Sequence, residues 1–284
     1  MRALWFVSDR QHRLALESYL DALGFDGALT ELSASTCQVA PSCDCVSFTV
    51  SDAAGAALQA AASDAATDVL CVAGERPRLA LFDMDSTLIQ HEVIDELAAQ
   101  FGLGEQVSAI TERAMRGELD FVQSFTERLG LLAGLAESEL DGVYQRLQLM
   151  PGAEVLMPNL SHAGLRLGIV SGGFSFFADQ IGTRLGMDFV LSNTLQCANG
   201  AVTGQVVLPV IDGSMKESTL RSEAKRLGLS LAQTLAVGDG ANDIPMLKAS
   251  GIGVAFRAKP KVQAESPNRL NHQDLSALSY LGML

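Results

Sequence analysis

The sequence predicts an α/β fold: a doubly wound parallel sheet with a helical insertion, preceded by a small α+β unit. Three observations support this fold class. Strand-like and helix-like segments alternate after residue 151, as in a parallel sheet with helices on both faces. Residues 1–76 have a pattern and a composition of their own. Polar residues follow several strand-like runs directly, where the functional sites of such sheets lie.

Residues 1–76 predict a β-α-β-β-α-β order, which is ferredoxin-like. They contain no lysine, since the first lysine of the chain is Lys216, and they carry no catalytic constellation. The segment 74–79 contains Pro77 and predicts a short linker. Strands are expected at 3–8, 45–50 and 67–74, with a weak one near 27–33, and helices at 13–24 and 53–66.

Residues 91–150 predict a small helical insertion. No proline occurs between Pro77 and Pro151, and no alternating strand pattern appears. In the segment 92–102 the apolar residues recur at helical spacing and share one face: Val93, Ile94, Leu97, Ala98 and Phe101.

The predicted parallel sheet uses the short strand that ends at Phe82 and the residues after the insertion, so the core comprises 77–90 and 151–284. The segment 195–207 predicts a hairpin with Asn-Gly at its tip. Further strands are expected at 165–173, 189–193, 234–238 and 252–256, and helices at 174–186 and 216–228.

Composition excludes several classes of partner. The formal net charge of −13 argues against nucleic acid and disfavours an acidic membrane surface. No apolar stretch approaches the ~18 residues of a membrane span, and the first residues do not resemble a signal peptide. Cys43 and Cys45 would lie on one side of a strand, which is poor geometry for a disulfide. Free thiols in a reducing compartment, and hence a cytoplasmic location, are expected.

The stretch "LALFDMDSTLIQ" (79–90) places Asp83 and Asp85 at the end of a buried strand. Carboxylates are costly there unless something neutralises them. Two other polar clusters follow strands, at 171–173 (Ser-Gly-Gly) and at 239–243. Carboxylates suit Mg²⁺, and the Ser-Gly-Gly segment is expected to offer free N–H groups to an anion at a helix N-terminus. With Lys216 these features describe a phosphoryl site with a carboxylate nucleophile and a carboxyl acid.

Four motifs in this order resemble those of the haloacid dehalogenase superfamily: "DMDST" (83–87), "SGG" (171–173), Lys216 and "GDGAND" (238–243). The resemblance extends from residue 79 to about 260. Four longer segments are similar to the phosphoserine phosphatases of that superfamily: "DSTLIQHEVIDELA" (85–98), "AMRGELDFVQSFTERL" (114–129), "VSGGF" (170–174) and "VGDGANDIPM" (237–246).

The resemblance implies a Rossmann-like core and a Mg²⁺-dependent reaction through an aspartyl-phosphate. Asp83 is then the nucleophile. Asp85 is the general acid and later the general base, and its backbone carbonyl joins the metal ligands. Asp239 completes the protein ligands to Mg²⁺, with support from Asn242 and Asp243. The phosphate is implied to be held by Ser171, Gly172, Lys216 and Asn242.

The resemblance also implies how the substrate O-phosphoserine is recognised. Glu92 faces its amine and Arg128 its carboxylate, while Met115 and Phe121 form an apolar wall in the helical cap. The reaction would be the last step of serine biosynthesis. Residues 1–76 resemble an ACT-like regulatory region, so an amino-acid effector and a homodimer are further expectations.

Simpler interpretations remain open for single residues. Ser171 has the residue type of a helix N-cap, and Glu92 that of a first-turn acid favoured by the helix dipole. Arg128 fits a solvated helix face, and Met115 and Phe121 fit an ordinary core. Alternative functions are phosphoryl transfer to homoserine, another phosphomonoesterase of the superfamily, or an amino-acid sensor.

Overall fold

The computed structural model describes residues 1–22, 27, 29–32, 37–73 and 75–284. The side chains of residues 52, 53, 55, 56 and 115 lie outside that description. The predicted weak strand near 27–33 and the predicted linker at 74–79 are therefore described only in part.

The N-terminal unit has the predicted ferredoxin-like order. Its four strands form an antiparallel sheet in the order β2-β3-β1-β4. The elements are β1 (Arg2–Val7), α1 (Arg10–Ala22), β2 (Thr30–Leu32), β3 (Asp44–Thr49), α2 (Asp52–Asp64) and β4 (Val69–Val72).

Both faces of this sheet are buried, which explains why β1 reads as a continuous apolar run rather than an alternating one. Trp5 packs in a cluster with Leu16 of α1 and Leu58 of α2. Phe6 points the other way, into the core of the rest of the chain, where its ring centroid lies 6.4 Å from that of Tyr280. The N-terminal unit thus shares an apolar core with the remainder of the protein.

The second sheet has six parallel strands in the order β12-β11-β10-β5-β6-β7 and confirms the predicted α/β fold. Its strands are β5 (Leu79–Phe82), β6 (Arg166–Phe174), β7 (Phe189–Asn193), β10 (Thr234–Gly238), β11 (Ile252–Phe256) and β12 (Asn268–Leu270). The accompanying helices are α7 (Ala153–His162), α8 (Ser175–Leu185), α9 (Gly213–Arg226), α10 (Ile244–Ala249) and α11 (Pro260–Glu265).

Strand β5 lies between β6 and β10, at the point where the strand order reverses. Ala80 and Phe82 face one apolar cluster, whereas Leu79 and Leu81 face a second one on the opposite side. Sites in open α/β sheets form at the carboxyl ends of strands beside such a reversal. The residues at the carboxyl ends of β5, β6 and β10 are therefore expected to form the functional site.

The insertion after β5 is helical, as predicted. Its two connecting segments pair with each other: Gln90 donates to the carbonyl of Gln148 at 2.9 Å, and Met150 donates to that of Leu88 at 2.8 Å. Its helices are α3 (Val93–Gln100), α4 (Gly104–Met115), α5 (Phe121–Leu131) and α6 (Leu140–Tyr144). The exact domain boundaries at 76, 90 and 150 stay predictions.

The predicted hairpin is present as β8 (Cys197–Ala198) and β9 (Ala201–Val202). Its tip needs left-handed backbone, and Asn199 and Gly200 supply it with φ of 53° and 77°. The hairpin also contacts the insertion, because the N–H of Gly134 donates to the carbonyl of Val202 at 2.8 Å.

The end of the chain joins the two sheets. Strand β12 and a 3₁₀ segment (Leu275–Met283) follow α11, and the sequence pattern did not predict either one. The Asp68 carboxylate accepts hydrogen bonds from the backbone N–H groups of Asn271, His272 and Gln273, at 2.9, 2.8 and 2.8 Å. These contacts fix the N-terminal unit against the core.

None of the five cysteines takes part in a disulfide in the described part of the chain. In the described part of the chain no helix combines the length and the apolarity that crossing a membrane requires.

Candidate active site

Asp83 lies immediately beyond β5, and its backbone continues the direction of that strand. Its N–H donates to the carbonyl of Val237 in β10 at 3.0 Å, so the strand pairing continues past Phe82. Its own Oδ1 accepts a hydrogen bond from the N–H of Met84 at 2.7 Å. The carboxyl group is therefore oriented by the backbone at the end of a fully buried strand.

Lys216 provides the positive charge beneath Asp83. Its Nζ lies 2.9 Å from Oδ1 of Asp83 and 2.6 Å from Oδ1 of Asp243, and its side chain is 0% exposed. Burial lowers the pKa of Lys216, but the two carboxylates outweigh that effect and raise it above its ordinary value. The lysine is therefore charged and is bound from both sides.

Three carboxyl groups meet at this point. Ligand atoms of Asp83, Asp239 and Asp243 all lie within 4.8 Å of one another. Thr87 Oγ1 donates to Asp239 at 2.9 Å, and the N–H of Gly240 donates to Asp243 at 2.9 Å. Both oxygens of Asp243 are thus engaged, by Lys216 and by Gly240, whereas the described hydrogen bonds of Asp83 and Asp239 use only Oδ1 and leave Oδ2 to a ligand.

The pKa values of Asp239 and Asp243 are both raised in this site. Burial, and then the charge of Asp83, raises the pKa of Asp239 to about 8. The same causes raise the pKa of Asp243 to about 7, against the opposing charge of Lys216. A convergent set of carboxylate oxygens with one internal lysine fits a hard divalent cation, which would neutralise the excess charge.

Asp85 occupies a different environment from Asp83. Its Oδ1 accepts a hydrogen bond from the N–H of Val93, at the start of α3, at 3.3 Å. Burial, followed by the charges of Glu92 and Asp83, raises the pKa of Asp85 well above its ordinary value. A carboxyl group with a raised pKa beside one that is ion-paired to a lysine is an arrangement that suits a general acid and a nucleophile.

Glu92 lies at the N-cap of α3 and reaches back toward the strand end. Ser86 Oγ donates to its Oε1 at 2.8 Å, and Ser86 itself has a left-handed φ of 54°. Burial raises the pKa of Glu92, although the Ser86 hydrogen bond opposes the shift. The turn after Asp85 thus brings the first acidic residue of the insertion to the site.

The Ser-Gly-Gly segment is not a helix N-terminus, which corrects the prediction. Strand β6 continues through it to Phe174, with an irregular register against β7 between Ser171 and Phe174, and α8 begins only at Ser175. The N–H of Gly173 was expected to be free, but it donates to Ser171 Oγ at 2.9 Å. Glycines that resemble a turn in sequence here accompany a bulge in an interior strand.

Gly172 and Gly173 allow close approach by other residues. A Cβ atom on Gly172 would lie 2.9 Å from Phe121 of the insertion. The carbonyl of Gly172 accepts a hydrogen bond from Asn193 at 2.8 Å, and the opposite side of that amide accepts one from the N–H of Ile211 at 2.8 Å. Asn193 was not predicted, because a buried asparagine at a strand end carries no distinctive sequence signal.

These groups surround a cleft of about 600 Å³ between the core and the insertion. Ser171 and Lys216 lie beneath its surface and are fully buried. Met115 ends α4, but its side chain lies outside the described part of the structure. The other predicted residues line the cleft: Asp83, Asp85, Glu92, Phe121, Arg128, Gly172, Asp239 and Asn242.

Arg128 enters the cleft from α5. Its Nε donates to the carbonyl of Ser124 at 3.3 Å. Burial lowers its pKa, and the nearby carboxyl groups, Asp95 first, oppose that shift. Asp95 and Lys259 line the same cleft and were not predicted as site residues, because neither belongs to a recognisable motif.

The described fold and acidic cluster agree with a family model. Residues 77–251 match the model of haloacid dehalogenase-like hydrolases. This chain is a member of that hydrolase family.

Curated relatives narrow the class. A phosphoserine phosphatase of Mycobacterium tuberculosis is 46% identical over 218 residues, which cover 77% of this chain and 53% of the relative. One from Streptococcus thermophilus is 45% identical over 197 residues, which cover 69% of this chain and 92% of the relative. The chain belongs to the phosphoserine phosphatases, although it spans only about half the length of the mycobacterial relative.

Solved structures agree at the level of fold. A haloacid dehalogenase family hydrolase from Salmonella enterica has a TM-score of 0.90 at 29% identity and covers 99% of this chain and 97% of its own. A phosphoserine phosphatase solved as a phospho-aspartyl intermediate analogue has a TM-score of 0.67 at 38% identity, covering 72% of this chain and 98% of its own.

Proposed function

We propose that this protein hydrolyses O-phospho-L-serine to L-serine and phosphate through an aspartyl-phosphate on Asp83. The observation that carries the proposal is the contrast between two neighbouring carboxyl groups. Asp83 is bound to the Lys216 ammonium group, whereas burial favours the protonated form of Asp85. One group is suited to attack and the other to protonate a leaving oxygen.

In the first step an oxygen of Asp83 attacks phosphorus, and the bond from phosphorus to the serine oxygen breaks. The proton of Asp85 passes to that oxygen, so serine leaves as a neutral alcohol. In the second step the Asp85 carboxylate takes a proton from water, whose oxygen attacks phosphorus. The acyl-phosphate bond breaks, phosphate leaves, and both aspartates return to their starting state.

Lys216 and the glycine segment support these steps. An ion pair with Lys216 orients the Asp83 carboxyl group, and the lack of side chains at Gly172 and Gly173 lets Phe121 and Asp85 come close to the strand end. Mg²⁺ is the cation that we propose for the site, held by Asp83, Asp239 and the backbone carbonyl of Asp85 with help from Asp243. When Mg²⁺ is bound, it neutralises negative charge on the transferred phosphoryl group.

The insertion is proposed to recognise the amino-acid part of the substrate. Glu92 would bind its ammonium group and Arg128 its carboxylate, while Met115 and Phe121 would supply an apolar wall. Glu92, Phe121 and Arg128 all line the cleft that also contains Asp83, which supports this assignment.

The test is phosphate release from O-phospho-L-serine, O-phosphoethanolamine and p-nitrophenyl phosphate, each with Mg²⁺ and with a chelator. The expected result is Mg²⁺-dependent turnover that strongly favours phosphoserine. Asp83→Asn should abolish turnover while the melting temperature is retained. Turnover above a few per cent in that variant would rule out Asp83 as the nucleophile.

Arg128→Ala should raise the KM for phosphoserine strongly and that for p-nitrophenyl phosphate hardly at all. Equal effects on both substrates would reject its role at the carboxylate. An amino-acid effector at residues 1–76, a homodimer and a cytoplasmic location stay predictions. Serine inhibition and mass in solution, measured on the full chain, test the first two.

A further inference from the structure

The cleft is strongly acidic, and only two cationic side chains line it among the described residues. Arg128 comes from the insertion and Lys259 from the core. Lys216 lies beneath the floor, where Asp83 and Asp243 already bind its ammonium group. An anionic ester meets repulsion in such a cleft unless cations offset the acidic charge. Six carboxyl groups line the cleft: Asp83, Asp85, Glu92, Asp95, Asp212 and Asp239.

The backbone of Lys259 is fixed although its side chain is exposed. The residue precedes Pro260 and has φ of −62° and ψ of 151°, in the extended region that a following proline favours. Its carbonyl accepts hydrogen bonds from the N–H groups of Val262 and Gln263, at 2.9 and 3.1 Å. The Gln263 amide also donates to the carbonyl of Ala258 at 2.7 Å. Lys259 therefore lines the cleft from a well-anchored point of the core.

Lys259 acts on the acidic residues of the insertion. Asp95 lies three residues after Glu92, one helical turn further along α3. Burial raises the pKa of both carboxyl groups; the Ser86 hydrogen bond at Glu92 and the charge of Arg128 at Asp95 oppose these shifts, and the charge of Lys259 opposes both more weakly. Asp95 also interacts with Arg128. Its carboxyl group therefore experiences the charge of a cation of the insertion and, more weakly, that of a cation of the core.

We propose that Lys259 is a specificity-determining residue: together with Arg128 it makes the amino-acid end of the cleft attractive to substrates that carry a carboxylate beside the phosphate. The proposal rests on the proposed function, because it needs the amino-acid part of the substrate to lie near Glu92 and Arg128. Without Lys259, Arg128 is the one cation among the described residues of the cleft lining that offsets the charges of Glu92 and Asp95, and a substrate carboxylate binds less well. A phosphate ester that lacks the carboxylate loses less binding affinity.

The experiment measures kcat and KM of the full chain for O-phospho-L-serine and for O-phosphoethanolamine, which differs by the missing carboxylate. Lys259→Met removes the charge and keeps most of the side-chain length, and Lys259→Arg restores the charge. Lys261→Met is the matched control, because Lys261 is an exposed lysine two residues after Lys259, in α11, and does not line the cleft. Arg128→Ala is the reference for loss of carboxylate recognition.

Lys259→Met is expected to raise the KM for phosphoserine about fivefold, the size of a partly exposed charge contact, with kcat preserved. Lys259→Arg should restore KM, and phosphoethanolamine should respond less. The kcat/KM of the wild type should also fall more steeply with salt than that of Lys259→Met. These results together support the proposal.

Three outcomes overturn it. In the first, the KM values of Lys259→Met equal those of Lys261→Met. In the second, Lys259→Met raises the KM for both substrates equally. In the third, Lys259→Met lowers kcat and leaves KM unchanged. If Arg128→Ala distinguishes the substrates while Lys259→Met does not, the proposal for Lys259 fails and the proposed function stands. If Arg128→Ala does not distinguish them, the assignment of the carboxylate site fails first.

Discussion

The carboxyl group of Asp85 lies directly against the backbone of Gly173: a Cβ atom at that glycine would be 2.6 Å from Oδ2 of Asp85. Asp85 follows β5, and Gly173 lies near the end of β6, the neighbouring parallel strand, so their contact joins two sequence motifs that are far apart in the chain. The absence of a side chain at residue 173 is therefore what allows Asp85 to occupy its position.

Gly173→Ala should displace Asp85 and lower kcat by about ten- to a hundredfold, as small misplacements of catalytic groups do. Steady-state kinetics and thermal unfolding of the variant test this. Gly130→Ala is a suitable control, because a Cβ atom there meets nothing within 4 Å and helix α5 should tolerate it. Wild-type kcat in Gly173→Ala would show that Asp85 does not need this contact.

Lys216→Met should remove the counter-charge of Asp83 and Asp243 and leave two buried carboxyl groups without a cation. A loss of about 3–5 kcal/mol in the free energy of unfolding is expected at pH 8 in the presence of a chelator. The loss should be smaller at pH 5, where the carboxyl groups of the variant can take up protons. Urea unfolding at both pH values measures it, with Lys225→Met, in the exposed last turn of the same helix, as control.

The stability of the metal-free protein should depend on Asp239. Its pKa is about 8 in the folded protein against an ordinary value of 3.8, so between these values the folded state holds a proton that the unfolded chain has released. This contribution to stability is present at low pH and disappears as pH rises toward 8.

Asp239→Asn does not titrate, so its stability relative to the wild type should increase from pH 5 to pH 8 when both are measured with a chelator. Added Mg²⁺ should reverse the trend, since the ion replaces the proton and binds only the wild-type carboxylate well. Urea unfolding at pH 5, 6.5 and 8 provides the comparison. A difference that does not change with pH would contradict the raised pKa.

Asp68→Ala should destabilise the whole protein. It removes the acceptor of three backbone N–H groups at residues 271–273, of which that of Gln273 is buried and the other two are partly buried, and a buried donor costs about 1–3 kcal/mol when it is left unsatisfied. Asp64→Ala, in an exposed position at the end of α2, is the control. We expect one cooperative transition at lower denaturant concentration, and an N-terminal unit that melts separately would argue against the shared core.

The sequence was sufficient to predict that the residues at the strand ends of the cleft lie together. Parallel pairing carries the ends of β5, β6 and β10 to one edge of the sheet, so motifs such as those of Asp83 and Asp239 meet without knowledge of loop geometry. The hairpin was equally accessible, since Asn199 and Gly200 have the residue types that its turn requires.

Other features depend on packing that no local pattern encodes. Glycines resemble a turn in sequence, but neighbouring strands extended β6 through Gly172 and Gly173. Lys259 and Asp95 line the cleft only because the insertion folds over the core. Strand β12 has three residues, and the apolar segment that follows it gives no periodicity that distinguishes a 3₁₀ helix from an α-helix.

The insertion is attached to the core at two separate places: through the paired segments at 88–90 and 148–150, and through the hydrogen bonds between residues 134–137 and the β8–β9 hairpin. Two fixed attachments define a line. Any opening of the cleft that keeps both sets of hydrogen bonds must therefore be a hinge rotation of the insertion, relative to the core, about that line. Such a motion has a single degree of freedom, so Arg128 and Phe121 must approach and leave Asp83 together.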